Sequence, residues 1–117
     1  ITLIVPVPLH SRRKRKRGFN QAEIVAKVLS ENTGIAMDAG AVKRIKATSP
    51  QKVLGDKGRK RNIRGAFAVQ KNVKGENIVL IDDIYTTGST LDEAARVLKK
   101  AGAENVYFLT VSIGQGI

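Results

Sequence analysis

The sequence predicts an α/β domain built on a mainly parallel sheet flanked by helices. Three apolar runs, Ile1 to Val7, Asn77 to Ile81 and Val106 to Val111, have the continuous hydrophobic character of strands covered on both faces. Amphipathic segments with helical spacing lie between them, and this alternation is typical of parallel α/β folds. At 117 residues the chain has room for one core, so we expect a single domain over residues 1–117.

The first half of the chain is predicted to form a strand, a helix and a weaker strand. Pro6 and Pro8 end the first strand, because proline cannot donate to a sheet ladder. Asn20 is positioned to cap the helix and Gly34 to end it. A weak strand is expected around Ala41 to Arg44. One helix face carries the small and apolar residues Ala22, Val25, Ala26 and Leu29.

The second half repeats the alternation with clearer signals. A short strand is expected at 66–69 and a turn at 73–76, and the second apolar run stops at Asp82 and Asp83. A helix over 90–101 follows, with Thr90 and Glu93 as a capping box and Gly102 as its end. Its apolar face comprises Leu91, Ala94, Ala95 and Leu98.

Charge is distributed unevenly along the chain. The net charge is +11, and residues 1–70 hold 16 Lys and Arg against 4 Asp and Glu. Six consecutive basic residues occupy 12–17, and a second group occupies 59–64. Such clusters favour phosphates, diphosphates or nucleic acid, although a solvated, self-repelling loop has the same composition.

Composition excludes several classes of protein. The chain has no cysteine and one histidine, which excludes disulfides and thiolate metal sites and argues against a histidine zinc site. No apolar run approaches the ~20 residues of a membrane span. The residues before the basic cluster do not have the order of a signal peptide, so we expect a cytoplasmic protein without a membrane span.

The segment from Val79 to Thr90 has the features of a phosphate cradle. It runs from a strand through two carboxylates into a Thr-, Gly- and Ser-rich loop and then a helix. In open α/β sheets ligands bind beyond the carboxyl ends of strands, and the amino terminus of a helix attracts anions. The segment has neither the lysine of a P-loop nor a G-x-G-x-x-G fingerprint.

The acid pair would repel a phosphate, so we assign it to another part of the same ligand. Asp82 and Asp83 suit sugar hydroxyls or a ligand-bound metal, and a phosphorylated ribose would satisfy both the acids and the cradle. The alternative is that the two acids only begin a turn. The pattern is not that of a receiver domain, nor the D-x-D-x-T of haloacid-type phosphatases.

The same segment resembles the 5-phosphoribosyl-1-diphosphate (PRPP) signature of type I phosphoribosyltransferases. The runs 5–10 and 17–22, together with spaced residues between Thr48 and Phe67, resemble one branch of them, the competence protein ComF family, which is related to amidophosphoribosyltransferases. The resemblance covers nearly the whole chain. ComF-type proteins commonly carry a cysteine-rich zinc module that this chain lacks, so we expect it to be the carboxyl-terminal part of a longer protein.

The resemblance implies roles for particular residues. Asp82 and Asp83 would be the catalytic pair on the ribose 2′- and 3′-hydroxyls, and the 47–65 segment, with Gln51 and Arg59, would be the mobile loop that closes over PRPP. The diphosphate loop would comprise Leu9, His10, Ser11 and Arg12. The 5′-phosphate site would comprise Thr86, Thr87, Gly88, Ser89 and Thr90.

Two functions follow from the resemblance. The first is transfer of phosphoribosyl from PRPP, with Mg²⁺ held mostly by ligand oxygens, to a nitrogen acceptor that the sequence does not identify. The alternative is a non-catalytic PRPP-fold module acting in competence, with single-stranded DNA as a partner of the basic run 12–17. A homodimer is left open.

Overall fold

The computed structural model describes residues 1–8, 20–45, 64–83 and 88–111, and its elements alternate as the sequence predicts. Two helices are described, α1 (Gln21–Thr33) and α2 (Gly88–Lys100). The strands in chain order are β1 (Leu3–Pro6), β2 (Ala36–Met37), β3 (Val42–Arg44), β4 (Phe67–Val69), β5 (Asn77–Asp83) and β6 (Asn105–Val111).

A four-stranded parallel sheet with the order β2-β1-β5-β6 forms the centre of the fold. β5 lies between β1 and β6, with Leu80 aligned with Val5 on one side and with Phe108 on the other. The predicted α/β architecture with a mainly parallel sheet is therefore confirmed. β3 and β4 form a separate antiparallel pair.

Each face of the sheet packs against a different helix. On one face Ile4 and Ile81 pack against the small residues Ala22 and Ala26 of α1. On the other face Val5, Ile78 and Leu80 join a larger cluster that contains Leu98 of α2 and residues of β3 and β4. The alternation of side chains along a strand explains how neighbouring residues of β5 serve both clusters.

The two ends of α1 follow the sequence prediction. Oδ1 of Asn20 accepts a hydrogen bond from the Ala22 N–H at 3.1 Å, so Asn20 is the N-cap. At the other end Gly34 adopts φ +77°, a left-handed conformation that glycine reaches without a steric penalty, and its N–H donates to the Ser30 carbonyl at 2.9 Å.

The expected strand near Ala41 is confirmed as β3, which pairs with β4 outside the parallel sheet. Two other features of the strands differ from the sequence prediction. The two-residue strand β2 is absent from it, because so short a segment has no periodicity of its own. β5 continues through Asp82 and Asp83, which align with Thr110 and Val111 of β6, whereas the sequence predicts that the strand stops before the acid pair.

The start of α2 corrects a second expectation. The helix begins at Gly88, so Thr90 lies inside its first turn and is 1% exposed. The expected Thr90–Glu93 capping box is wrong, because the Glu93 carboxylate binds Arg96 and the Gly65 N–H. The predicted end of the helix is confirmed, since α2 stops at Lys100 and Gly102 follows with φ +107°.

Helix length also bears on the predicted absence of a membrane span. Neither α1 nor α2 is long and apolar enough to cross a bilayer.

Replacing Asn20 with alanine should destabilise the fold by about 2 kcal/mol. The substitution removes the N-cap of α1 and leaves the Val7 carbonyl, which accepts from Asn20 Nδ2 at 3.1 Å, without that donor. Urea unfolding would measure the loss. Asn32→Ala is the matched control, because Asn32 is exposed near the end of α1 and should change stability by less than about 0.5 kcal/mol. Equal effects of the two variants would contradict the assignment.

Candidate ligand site at the carboxyl edge of the sheet

The carboxyl ends of β1 and β5 lie side by side at one edge of the sheet. Pro6 aligns with Ile81, and the Val7 N–H donates to the Ile81 carbonyl at 2.9 Å, so hydrogen bonding continues one residue beyond β1. Parallel strands bring their carboxyl ends to the same edge, which is where open α/β sheets bind ligands. This edge is the candidate site.

The acid pair occupies the last two positions of β5 at this edge. Asp82 is 4% exposed. By the alternation of the strand it shares its face with Ile78 and Leu80, the face that α2 covers. Asp83 is the final residue of the strand. The structure therefore places both predicted acids at the sheet edge, one residue from the end of β1.

Of the expected 5′-phosphate residues, three belong to the first turn of α2. Gly88 and Ser89 are its first two residues and Thr90 is its third. Thr86 and Thr87 lie outside the described residues. α2 starts five residues after Asp83 in the chain, and the amino terminus of a helix has N–H groups without a partner inside the helix and the positive end of the helix dipole.

The base of the first basic segment is fixed at the same edge. Asn20 Nδ2 donates to the Val7 carbonyl at 3.1 Å, so the residues that flank 9–19 are joined directly beside the end of β5. Asn20 is only 8% exposed, and its hydrogen bond joins two residues that lie 13 positions apart in the chain. The expected diphosphate residues, from Leu9 to Arg12, lie outside the described residues.

The base of the second basic segment lies against α2. The β3–β4 pair continues with a hydrogen bond of 2.7 Å from the Ile45 N–H to the Ala66 carbonyl, which closes the chain around residues 46–65. Gly65, in the left-handed conformation at φ +75°, donates its N–H to Glu93 of α2 at 3.1 Å. Gln51 and Arg59, assigned to the mobile loop from the resemblance, lie outside the described residues.

Glu93 is a buried carboxylate held by two partners. It is 6% exposed, and its oxygens accept from Arg96 Nε at 2.8 Å and from an Arg96 terminal nitrogen at 2.7 Å, in addition to Gly65. The hydrogen bonds from Arg96 lower the pKa of Glu93 against the opposing effect of burial, and the Gly65 N–H and the charges of Arg96 and Arg64 lower it further. The same contact raises the pKa of Arg96.

Sequence reasoning missed what Glu93 does. The three-residue spacing between Glu93 and Arg96 was a usable signal, since opposite charges so spaced are neighbours on a helix. Glu93 also falls on the buried side of α2, between Leu91 and Ala94, where a charge requires a partner. The contact with Gly65 had no signal in the sequence, because 28 residues separate the two.

A depression of about 300 Å³ lies elsewhere, between β4 and the second half of α2. Its lining includes Phe67, Val69, Arg96 and Lys100. It contains none of the residues assigned to the candidate site. The Arg44 guanidinium lies 5.4 Å from the Phe67 ring centroid, an aromatic–cation contact that supports this part of β3 and β4.

Comparison of the sequence with models of protein families identifies the family of this chain. Residues 15–113 match the phosphoribosyl transferase domain family, and the chain belongs to it. The match spans most of the described elements, including β5, the acid pair and α2. The resemblance recorded from the sequence is thereby confirmed at the level of the family.

The chain is similar to several individual proteins that are named for DNA utilization or competence. The chain is 43% identical over 103 residues to the DNA utilization protein YhgH of Salmonella typhi. It is 42% identical over 106 residues to competence protein F of Haemophilus influenzae and 36% identical over 112 residues to competence protein ComFC of Bacillus subtilis. These matches cover 88%, 88% and 93% of this chain.

The relatives are longer than this chain. The matched regions cover 45%, 46% and 43% of those proteins, so the chain spans less than half of their length. No solved structure matches the chain significantly.

Replacing Glu93 with glutamine should destabilise the protein by about 1–2 kcal/mol at pH 7, because the charged hydrogen bonds to Arg96 are lost. The loss should not be larger, since the Arg96 side chain is 42% exposed and water screens the ion pair. The pKa of Glu93 is lowered by folding, so its contribution is complete above about pH 4.5 and disappears as the pH falls through the lowered value. Urea unfolding of the two proteins at pH 7, 5 and 3 should show the difference shrinking at pH 3.

The matched control for this prediction is Asp92→Asn. Asp92 is the exposed neighbour of Glu93 on α2, so its replacement removes the same charge without touching Arg96 or Gly65. We expect its effect to stay within about 0.5 kcal/mol at each pH. A Glu93→Gln effect that does not change with pH would refute the electrostatic explanation.

Proposed function

We propose that this domain binds PRPP with Mg²⁺ at the carboxyl edge of its sheet and transfers the phosphoribosyl group to a nitrogen acceptor. The observation that supports this most strongly is the placement of Asp82 and Asp83 at the end of β5, five residues before α2 begins. Membership of the phosphoribosyl transferase domain family supports the same ligand class.

The two parts of this edge suit two parts of a phosphorylated ribose. The amino terminus of α2 offers backbone N–H groups and a positive dipole end to the 5′-phosphate, and Gly88 in its first turn carries no Cβ to keep the anion away. The carboxylates of Asp82 and Asp83 would accept hydrogen bonds from the ribose 2′- and 3′-hydroxyls. Separating acids from the phosphate in this way avoids like-charge repulsion.

The donor set at this edge fits magnesium. Mg²⁺ prefers oxygen ligands and keeps several waters, so one or two carboxylates and the diphosphate of the substrate would complete its shell. Among the described residues no three His, Asp or Glu side chains converge as a separate metal site. Asp82 and Asp83 would hold the ion together with oxygens of the ligand. When bound, it would neutralise charge developing on the leaving diphosphate.

The reaction would be a displacement at the anomeric carbon of the ribose. The bond to the diphosphate oxygen breaks, the diphosphate departs with the electron pair, and the acceptor nitrogen forms the new bond and then loses a proton. The Lys and Arg residues of the 9–19 and 46–63 segments, whose bases lie beside β5 and against α2, would supply cationic charge to the departing group. Release of diphosphate on adding ammonia or nucleobases would separate this enzyme from a module that only binds PRPP.

Removing both carboxylates should weaken PRPP binding at least tenfold. The variant Asp82→Asn with Asp83→Asn retains the shape of both side chains while removing charge-assisted hydrogen bonds that contribute roughly 1.5–3 kcal/mol each. Titration calorimetry with PRPP and Mg²⁺ would measure the change. Asp92→Asn, an exposed acid on α2, is the matched control and should bind as the unmodified chain does. Unchanged affinity in the double variant would refute the proposed site.

A second candidate function is binding of single-stranded DNA by the basic run 12–17. The names of the relatives, a DNA utilization protein and two competence proteins, favour it, as does the concentration of positive charge in this run. The run lies outside the described residues, so the case rests on sequence and on the relatives. It is compatible with the PRPP site, because six cations exceed what one diphosphate requires.

Binding to single-stranded DNA should be salt-dependent and nearly independent of base sequence. Each neutralised phosphate adds roughly 0.7 to the slope of log affinity against log salt, so we expect a slope of magnitude about 2–4. The slope should fall when Lys14, Arg15 and Lys16 become Gln, while PRPP affinity changes little. Fluorescence anisotropy across a salt series would measure it. Loss of PRPP binding with DNA binding intact would instead assign the run to the diphosphate site.

A further inference from the structure

Strand β6 carries three consecutive large apolar residues that are strongly exposed. Tyr107, Phe108 and Leu109 are 52%, 48% and 41% exposed. β6 forms one edge of the parallel sheet, pairing with β5 on one side, and no other described strand pairs with its second side. An apolar segment of this kind on a sheet edge is a ready template for another strand.

The edge also lacks the features that usually prevent such pairing. Sheet edges are commonly protected by charged residues, by proline, by a bulge or by being very short. β6 is seven residues long, and its sequence, NVYFLTV, contains neither a charged residue nor a proline. The nearest charged residue in the chain is Glu104, which precedes the strand.

The direction of the side chains shows what kind of element could cover this edge. Tyr107 and Leu109 align with Val79 and Ile81, which pack on the α1 face of the sheet, whereas Phe108 aligns with Leu80 on the α2 face. A helix laid on the sheet would cover only one of these faces. A strand added alongside β6 would contact side chains on both faces and also satisfy the backbone groups at the edge.

We propose that this edge is an interface with a second copy of the chain, in which two β6 strands pair antiparallel about a two-fold axis at Phe108. Phe108 is the midpoint of Asn105–Val111, so this register pairs the full length of both strands. Tyr107 of each copy then lies opposite Leu109 of the other, an aromatic–aliphatic cross-strand pair. Shifting the register shortens the ladder and separates Tyr107 from Leu109 of the other copy. The two parallel sheets become one sheet of eight strands.

The area available predicts a weak, reversible dimer. The three exposed side chains contribute on the order of 300 Å² per copy, since each large side chain presents roughly 150–250 Å² when fully accessible. With the strand backbone the interface approaches about 1,000 Å² in total, below the ~1,200 Å² at which stable complexes begin. Two copies of net charge +11 also repel each other, so salt should strengthen the association by screening.

Single cysteines test the register directly, because the chain has none of its own. Opposite residues in an antiparallel pair have Cα atoms about 4.5–5.5 Å apart, within the range that a disulfide spans. Under mild oxidation Phe108→Cys should form a covalent dimer. Ile24→Cys, placed on α1 at a residue that is 50% exposed, is the matched control and should stay monomeric. A mixture of Tyr107→Cys with Leu109→Cys should cross-link in preference to either variant alone.

Sedimentation of the unmodified chain tests the dimer without relying on any variant. We expect the average mass to rise from monomer towards dimer with concentration, and to rise further between 0.1 and 0.5 M salt. Tyr107→Lys with Leu109→Lys should abolish the rise, whereas Ile24→Lys with Val28→Lys, equally exposed on α1, should not. A monomer at every concentration and salt, as expected if β6 serves another protein or another segment, would overturn the proposal. So would open-ended assemblies or equal cross-linking of Phe108→Cys and Ile24→Cys.

Discussion

The parallel pairing of β1 with β5 is the constraint on which the rest of the candidate site depends. The alignment of Pro6 with Ile81 and the hydrogen bond from Val7 to Ile81 bring two strand ends, distant in sequence, to one point of the sheet edge. Asp82 and Asp83 follow immediately on one strand, and the base of the basic 9–19 segment follows on the other. Acidic residues at the end of one strand and the start of a basic segment after the next are thus brought together by the pairing of adjacent strands.

Helix α2 connects this edge to the remaining basic segment. Its first turn follows the acid pair, and Glu93, five residues after its start, accepts the Gly65 N–H at the base of residues 46–65. Five residues of helix rise only about 7.5 Å, so the first turn of α2 and the contact between Glu93 and Gly65 lie close together. Burying the Glu93 carboxylate is unfavourable by itself, and the two hydrogen bonds from Arg96 offset the free energy of desolvation. Helix α2 therefore begins shortly after the acid pair and also contacts Gly65 at the end of the 46–65 segment.

The two edge strands of the parallel sheet, β2 and β6, differ in length and in the exposure of their side chains. At β2 the sheet ends with a strand of two residues beside β1, which leaves little edge to pair with. At β6 it ends with seven uncharged residues whose apolar side chains are exposed on both faces. The relatives of this chain are more than twice as long as the regions that match it. In this chain the candidate site lies at the carboxyl ends of β1 and β5, whereas the unprotected lateral edge is the outer side of β6.

The sequence by itself determined the alternation of strands and helices, the cap at Asn20, the helix end at Gly34 and the acid pair followed by a Thr-, Gly- and Ser-containing segment and a helix, because each depends on local pattern or local hydrogen bonding. Only the tertiary structure decided that β3 pairs with β4 outside the main sheet, that β5 extends through Asp83, and that Glu93 binds Gly65 and Arg96 rather than capping α2. The two residues of β2 form a strand because β1 offers an edge beside them. These features rest on contacts between residues far apart in the chain, which no local periodicity records.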